Sequence, residues 1–76
     1  MARYQLDVTG QLCPMPVIKM QEKIITLQKG DELLVICTDP GCLEDIPAWC
    51  RIHGHRVEEI VEEKNLIKIL VEVRGT

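Results

Sequence analysis

Cys13-Pro14-Met15-Pro16 is where this sequence concentrates its chemistry. A cysteine before proline is pushed out of the helical region into an extended conformation, and an extended residue directly before a helix is an N-cap. Pro14 then takes the first helical position, where its missing N–H costs nothing, and Pro16 falls in the same free turn. The remaining N–H groups, on Met15 and Val17, are expected close to the Cys13 sulfur, at the positive end of the helix dipole. This matters because the thiolate, not the thiol, is the nucleophile: a free cysteine titrates near about 8.5, and helix N-termini can lower that to roughly 3.5 to 7.5. The expectation is an exposed, ionised Cys13 on a turn stiffened by two prolines. One local rule is strained, since Met15 itself precedes a proline and is nudged away from helix. The bland reading, a structural cysteine used as a small cap, stands beside it.

A lone activated thiol narrows the reactions available. The chain has no serine, and no His-Asp partner follows the cysteine to build a hydrolase; His53 and His55 lie far along the chain and can approach only by folding. The fitting chemistry is thiol exchange between proteins, in which Cys13 accepts a group from one partner's cysteine and passes it to another's.

Three further cysteines compete for attention. Cys50 shares a helix face with Ile46 and Trp49 and reads as packing; Cys37 ends an apolar strand and reads as core; Cys42, in a polar turn, reads as exposed. The set Cys37, Cys42, Cys50 and His53 has the ligand types for zinc but matches no common spacing, and no metal is expected. A Cys37–Cys42 disulfide is another open reading. No Cys-x-x-Cys occurs, and four cysteines in 76 residues are too few for a disulfide scaffold.

Periodicity supplies the elements that must position Cys13. Tyr4, Leu6 and Val8 alternate with Gln5 and Asp7 as a short half-buried strand closing at Thr9-Gly10. Val17, Met20, Ile24 and Leu27 recur three or four apart, with Ile18 and Ile25 widening the stripe, which predicts an amphipathic helix over 14–28 stopped by Gly30. Leu33 to Cys37 is a continuous apolar run suited to a central or doubly covered strand. A second helix is expected with Asp45 as its cap, Pro47 in its first turn and Gly54 at its end. Residues 56–62 and 66–73 form two strands joined by a hairpin turn at Glu63-Lys64-Asn65, the first out of phase as if bulged. The order β-α-β-α-β-β over residues 1–76 gives one α/β (α+β) two-layer sandwich, both helices on one face of a four-stranded mixed sheet. Leu70 and Ile60 are expected on the open face, where an apolar patch suits a partner or a weak homodimer and scattered aliphatics suit a monomer equally well.

Composition bounds the partners. Nine basic against twelve acidic residues give a net charge of −3, and Tyr4 and Trp49 are the only aromatic side chains. Direct nucleic-acid binding is therefore not expected: there is neither a basic surface nor a set of rings for base stacking. The first seven residues lack the apolar core of a signal peptide, and the longest apolar run is five residues, so the expected location is cytoplasmic, with no membrane association. A chain this short buries little interior, which argues against a deep substrate pocket or a large cofactor.

The residues Leu6-Asp7-x-x-Gly10-x-x-Cys13-Pro14-x-Pro16, then Thr38-Asp39-Pro40 and Asp45-Ile46-Pro47-x-x-Cys50 with His55 beyond, resemble the TusA/SirA-like sulfur carrier family over essentially the whole chain. That resemblance implies the same two-layer sandwich. It also implies a role for Cys13 as the bearer of a persulfide, received from a cysteine desulfurase or a rhodanese-type protein and relayed to an acceptor protein. Pro14, Met15, Pro16, Asp7 and Gly10 would support it. No cofactor is implied, and the activity is sulfurtransferase-type exchange by a carrier rather than turnover by an enzyme. Related branches serve tRNA thiolation, molybdenum cofactor assembly or sulfur oxidation. The branch for tRNA thiolation tends to have an acidic residue where this chain has Met15, which suggests a different docking surface. Asp7 lies near the motif in the family, and turn stabilisation explains it as well as contact with Cys13 does. Lys19 and Lys23, below Cys13 on the helix, are candidates for recruiting an acidic partner. The competing class is a small redox-regulatory or metal-binding module.

Overall fold

The computed structural model describes residues 2–75. They form β1 (Arg3–Val8), α1 (Met15–Ile24), β2 (Glu32–Cys37), α2 (Cys42–His53), β3 (Arg56–Glu63) and β4 (Leu66–Glu72), the expected β-α-β-α-β-β order. The sheet runs β1-β2-β4-β3, with β1 parallel to β2 and the other two pairings antiparallel. β2 and β4 therefore lie in the middle, and their alternate residues decide the core. Leu33, Val35 and Cys37 of β2, and Ile67, Ile69 and Val71 of β4, are buried on one face. Onto that face α1 lays Pro16, Met20 and Ile24, and α2 lays Cys42, Ile46 and Cys50. The four-residue spacing in each helix makes one stripe, and the stripes join the strands in a single core. Both helices cover the same side.

Several boundaries differ from the sequence reading, each for a visible reason. α1 ends at Ile24, not 28: Thr26 and Leu27 donate to carbonyls three residues back, and the Thr26 hydroxyl bonds the Lys23 carbonyl. Gly30, at φ 97°, terminates no helix; it turns the chain into β2 with its N–H on the Val73 carbonyl. Ile18 and Ile25 are 40% and 79% exposed and do not widen the buried stripe. α2 starts at Cys42, so Pro47 lies inside it and Asp45 is in its first turn and not its cap. The proline ring leaves the Leu43 carbonyl without its helical donor. Gly54 does close α2, in the left-handed conformation.

The hairpin turn places Lys64 and Asn65 at positive φ, and the bulge falls between Val57 and Glu59. It resets the phase so that Val57 pairs with Val71 and Ile60 with Ile69, on the helix side. Ile60 therefore does not share the open face with Leu70; it is exposed on an edge strand of the sheet. Leu34 and Leu70, paired across β2 and β4, carry the apolar part of the open face instead.

The far end of the sandwich is held by polar contacts. Buried Asp31 accepts the Ala2 and Gln28 N–H groups. His55 is 9% exposed, and its Nδ1 accepts from the Arg74 and Gly75 N–H groups, both at 3.2 Å. Trp49 stacks between His53 and His55, at centroid distances of 4.3 and 5.4 Å. Burial, and then the charge of His53, make His55 harder to protonate than a free imidazole. The unfolded chain thus binds the extra proton, so His55's contribution is whole above the ordinary imidazole value of about 6.5 and is lost as pH falls through the lower folded value. Thermal unfolding should show that decline below pH of about 6.5, and His55→Phe should flatten it. Equal slopes in the two proteins would show that another group is responsible.

Candidate functional site

Cys13 lies between β1 and α1, where its position is set by side chains from elsewhere. Asp7 turns the chain first: its carboxylate accepts the Thr9 N–H and hydroxyl at 2.9 and 2.8 Å. Gly10 follows at φ 78°, a conformation that only glycine takes without strain, and its N–H donates to the Thr38 hydroxyl at 2.9 Å. The Cys13 N–H donates to Asp39 Oδ2 at 2.8 Å, while Oδ1 of the same carboxylate accepts the Gly41 N–H at 3.1 Å. Thr38 and Asp39 belong to the β2–α2 loop. The two βα junctions are thereby laced together at one end of the sandwich, and Cys13 sits on the seam.

The expected N-cap geometry is not what forms. The Cys13–Pro14 peptide is cis, Pro14 is the residue at the cap position, and the helix begins at Met15, placing Pro16 at its second residue. The Met15 N–H is occupied by the Leu12 carbonyl at 2.9 Å, so it does not serve the sulfur. What faces the sulfur is a carboxylate: the Cys13 thiol donates to Asp45 Oδ2 at 2.6 Å. The consequence reverses the electrostatic expectation. Asp45 first, then desolvation and the charges of Asp45, Asp39 and Cys42, push the Cys13 thiol up to about 11. In the free protein Cys13 is a thiol.

Exposure still singles it out. All four cysteines are free thiols, and only Cys13 is exposed. Cys37 and Cys50 are buried as expected; Cys42, expected at the surface, is 2% exposed because it opens α2 against the core. Burial pushes the Cys42 thiol up to about 12 and that of Cys50 to about 11. Among the described residues no three His, Cys, Asp or Glu side chains converge as a metal site. His53 and His55 sit at the opposite end of α2, lining a groove of about 390 Å³ with Trp49, Ile24 and Leu27.

The site's rim is apolar. Leu12, Met15 and Ile18 around Cys13 are 73%, 40% and 40% exposed. Met15 was marked by the sequence as a docking residue; Leu12 and Ile18 were not, since one lay in a loop and the other was assigned to the core. Asp45 is expected from the sequence as a helix cap, and Asp39 enters there only through the resemblance. Their shared clue was the motif Thr38-Asp39-Pro40 with Asp45-Ile46-Pro47, both parts of which fold against Cys13. Lys23 does not project freely, its ammonium lying 5.3 Å from the Tyr4 ring centroid.

Asp39 offers a pH handle. Bonds from the Cys13 and Gly41 N–H groups hold its carboxyl below the usual range. A depressed acid keeps its contribution above the unfolded value and loses it as pH falls through the folded one. The Cys13 and Gly41 amide resonances should therefore move together at a midpoint below the ordinary Asp value of about 3.9, and Asp39→Ala should abolish both inflections. Independent midpoints would show that the carboxylate does not bridge the two.

Residues 4–73 match the family model described as sulfurtransferase TusA. The chain belongs to the TusA family. Sulfur carrier protein TusA of Pseudomonas paraeruginosa is 45% identical over 58 residues, spanning 76% of this chain and 73% of that one; that of Pseudomonas aeruginosa is similar to the same extent. The crystal structure of a SirA-like protein from Desulfitobacterium hafniense superposes with a TM-score of 0.83 over 95% of this chain and 99% of its own, at 19% identity. That likeness shows the same fold as the TusA-family domain described above, in agreement with the sandwich expected from periodicity.

Proposed function

We propose that this protein carries sulfane sulfur as a persulfide on Cys13, taking it from a donor protein and giving it to an acceptor protein. Membership in the TusA family makes the chain a sulfur carrier, and that role requires partners on both sides; it does not support a metal-binding or redox-regulatory module. The observation that carries Cys13 is its exposure: the other three thiols are buried in the core and cannot meet a partner's sulfur without unfolding. A cysteine desulfurase or a rhodanese-type protein fits as donor, because each presents a cysteine persulfide. The cytoplasm fits as location, since a reducing compartment keeps such thiols free. No helix among the described residues is long and apolar enough to cross a membrane.

In the loading step the Cys13 sulfur attacks the outer sulfur of the donor persulfide. A new S–S bond forms at Cys13, the donor's S–S bond breaks, and the donor cysteine leaves with the electron pair and takes up the proton Cys13 gives up. In delivery the acceptor's thiolate attacks that outer sulfur and Cys13 departs. The exchange balances without an external oxidant or a cofactor, which suits a carrier rather than a turnover enzyme. Asp7, Gly10, Pro14 and Pro16 shape the loop that presents the sulfur, and exposed Leu12, Met15 and Ile18 offer partners an apolar rim.

The test is to load the protein with a cysteine desulfurase and cysteine, and to map the product by intact and peptide mass. One added sulfur on the peptide containing Cys13, removed by reductant, is the expected result. Sulfur found on Cys37, Cys42 or Cys50 overturns the assignment.

A further inference from the structure

The Cys13–Asp45 contact is unusual for a nucleophile, and loop formation does not require it. The Cys13 backbone is already fixed by Asp39, and the start of α2 by the Asp39–Gly41 bond. Asp45 reaches across from the first turn of α2, and its Oδ2 accepts the hydrogen bond from the Cys13 thiol. The titratable groups facing the sulfur are the carboxylates of Asp45 and Asp39 and the thiol of Cys42, all on α2 or the loop before it. α1 brings no acid in its first turn. Among the described residues no cation faces the thiol to offset the two carboxylates, so these surroundings oppose ionisation.

We propose that Asp45 is a latch: by accepting a hydrogen bond from the Cys13 thiol it holds the free carrier in its unreactive thiol form, and neutralising that carboxylate releases the thiolate. This deepens the carrier reading and rests on it for its meaning, though not for its measurement. A carrier that meets many thiols and disulfides between partners benefits from being quiet until docked. A basic side chain on a partner, placed against Asp45, would do at the interface what removal of its charge does in a variant. Asp45 is thus a positioning residue that acts through Cys13.

The size of the effect follows from the two opposing terms. A return of the thiol from about 11 to its ordinary range multiplies the thiolate present at neutral pH by about a hundred, and the lower basicity of that thiolate takes back roughly tenfold in attack rate. The net expectation is about a tenfold faster reaction.

The experiment measures the rate of Cys13 alkylation by iodoacetamide against pH, by intact mass under native conditions, for the wild type, Asp45→Asn and Asp45→Glu. Asp45→Asn should lower the midpoint and react about tenfold faster at pH 7.5; Asp45→Glu, which keeps the charge, should stay near the wild type. A purely structural role for Asp45 would move thermal stability but not the midpoint. Midpoints unchanged in Asp45→Asn overturn the latch, as does a Glu variant that behaves like Asn while remaining folded by circular dichroism. Sulfur loading of the same wild-type sample by a cysteine desulfurase and cysteine separates the two ideas. If loading occurs on Cys13 and the alkylation midpoints coincide, the carrier stands and the latch falls; if no sulfur reaches Cys13, the carrier reading falls whatever the midpoints show.

Discussion

Cys13→Ala should abolish sulfur loading and transfer completely while leaving the fold almost untouched. The side chain is exposed, its thiol is bonded to Asp45, and the backbone bond to Asp39 survives the substitution. Exposed substitutions away from packing and caps usually change stability by no more than about 0.5 kcal/mol. Urea unfolding should therefore give a midpoint and slope close to the wild type, while intact mass after treatment with a donor shows no added sulfur. Loading of Cys13→Ala at the wild-type level would mean that a buried cysteine is accessible on the reaction timescale, and the carrier assignment would move to that residue.

Leu33→Ala should do the reverse. Leu33 is fully buried in β2, between β1 and β4, and belongs to the single hydrophobic core. Truncating such a leucine costs about 2–5 kcal/mol, the lost burial plus the cavity left behind. A domain of 76 residues has roughly 4–11 kcal/mol in total, so the variant should sit near its unfolding limit at ambient temperature. The expected signature is a urea midpoint shifted far down with the slope unchanged. Sulfur loading per folded molecule should stay near normal, since Leu33 pairs with Tyr4 and Val71, toward the end of the sheet remote from the Cys13 seam. A small shift would show that the sheet relaxes into the cavity, which the interlocked strands on either side argue against.

This separation between function and stability reflects what the sequence could and could not express. Strand and helix faces follow from side-chain period, so the core residues Met20, Leu33, Val35, Ile46, Ile69 and Val71 were legible, as was the bulge in β3, which showed as a break in phase between Val57 and Ile60. Helix ends were less so. Nothing in Ile25 or Leu27 forbids helix; the turn that follows α1 depends on the nearby Asp31 carboxylate and on the Val73 carbonyl, which arrives from a distant part of the chain. Pro47 looked incompatible with a helix interior, yet the tertiary packing of Ile46 and Cys50 outweighs one missing hydrogen bond.

The site was legible in identity but not in electrostatics. Cys13 stood out through its two prolines. The α1 terminus is only part of the cysteine's environment, because α2 and the loop before it fold against it. Asp39 and Asp45 are 26 and 32 residues away from Cys13 in sequence, and no local rule predicts a contact of that range. Their carboxylates outweigh any dipole term because they carry full charges within bonding distance, against the fractional charge of a helix end.

The strand directions also fix where Ala2 and Gly75 lie. β1 runs away from Ala2 toward the Cys13 seam, and β4 runs away from that seam toward Gly75, with Cys37 opposite Ile67 at one end and Glu32 opposite Glu72 at the other. Six residues of strand separate the two ends by about 20 Å. Ala2, tied to Asp31, and Gly75, tied to His55, are both at the end remote from the sulfur. The domain can therefore be tethered by either terminus, to a surface or to another protein, and still swing its reactive end freely outward.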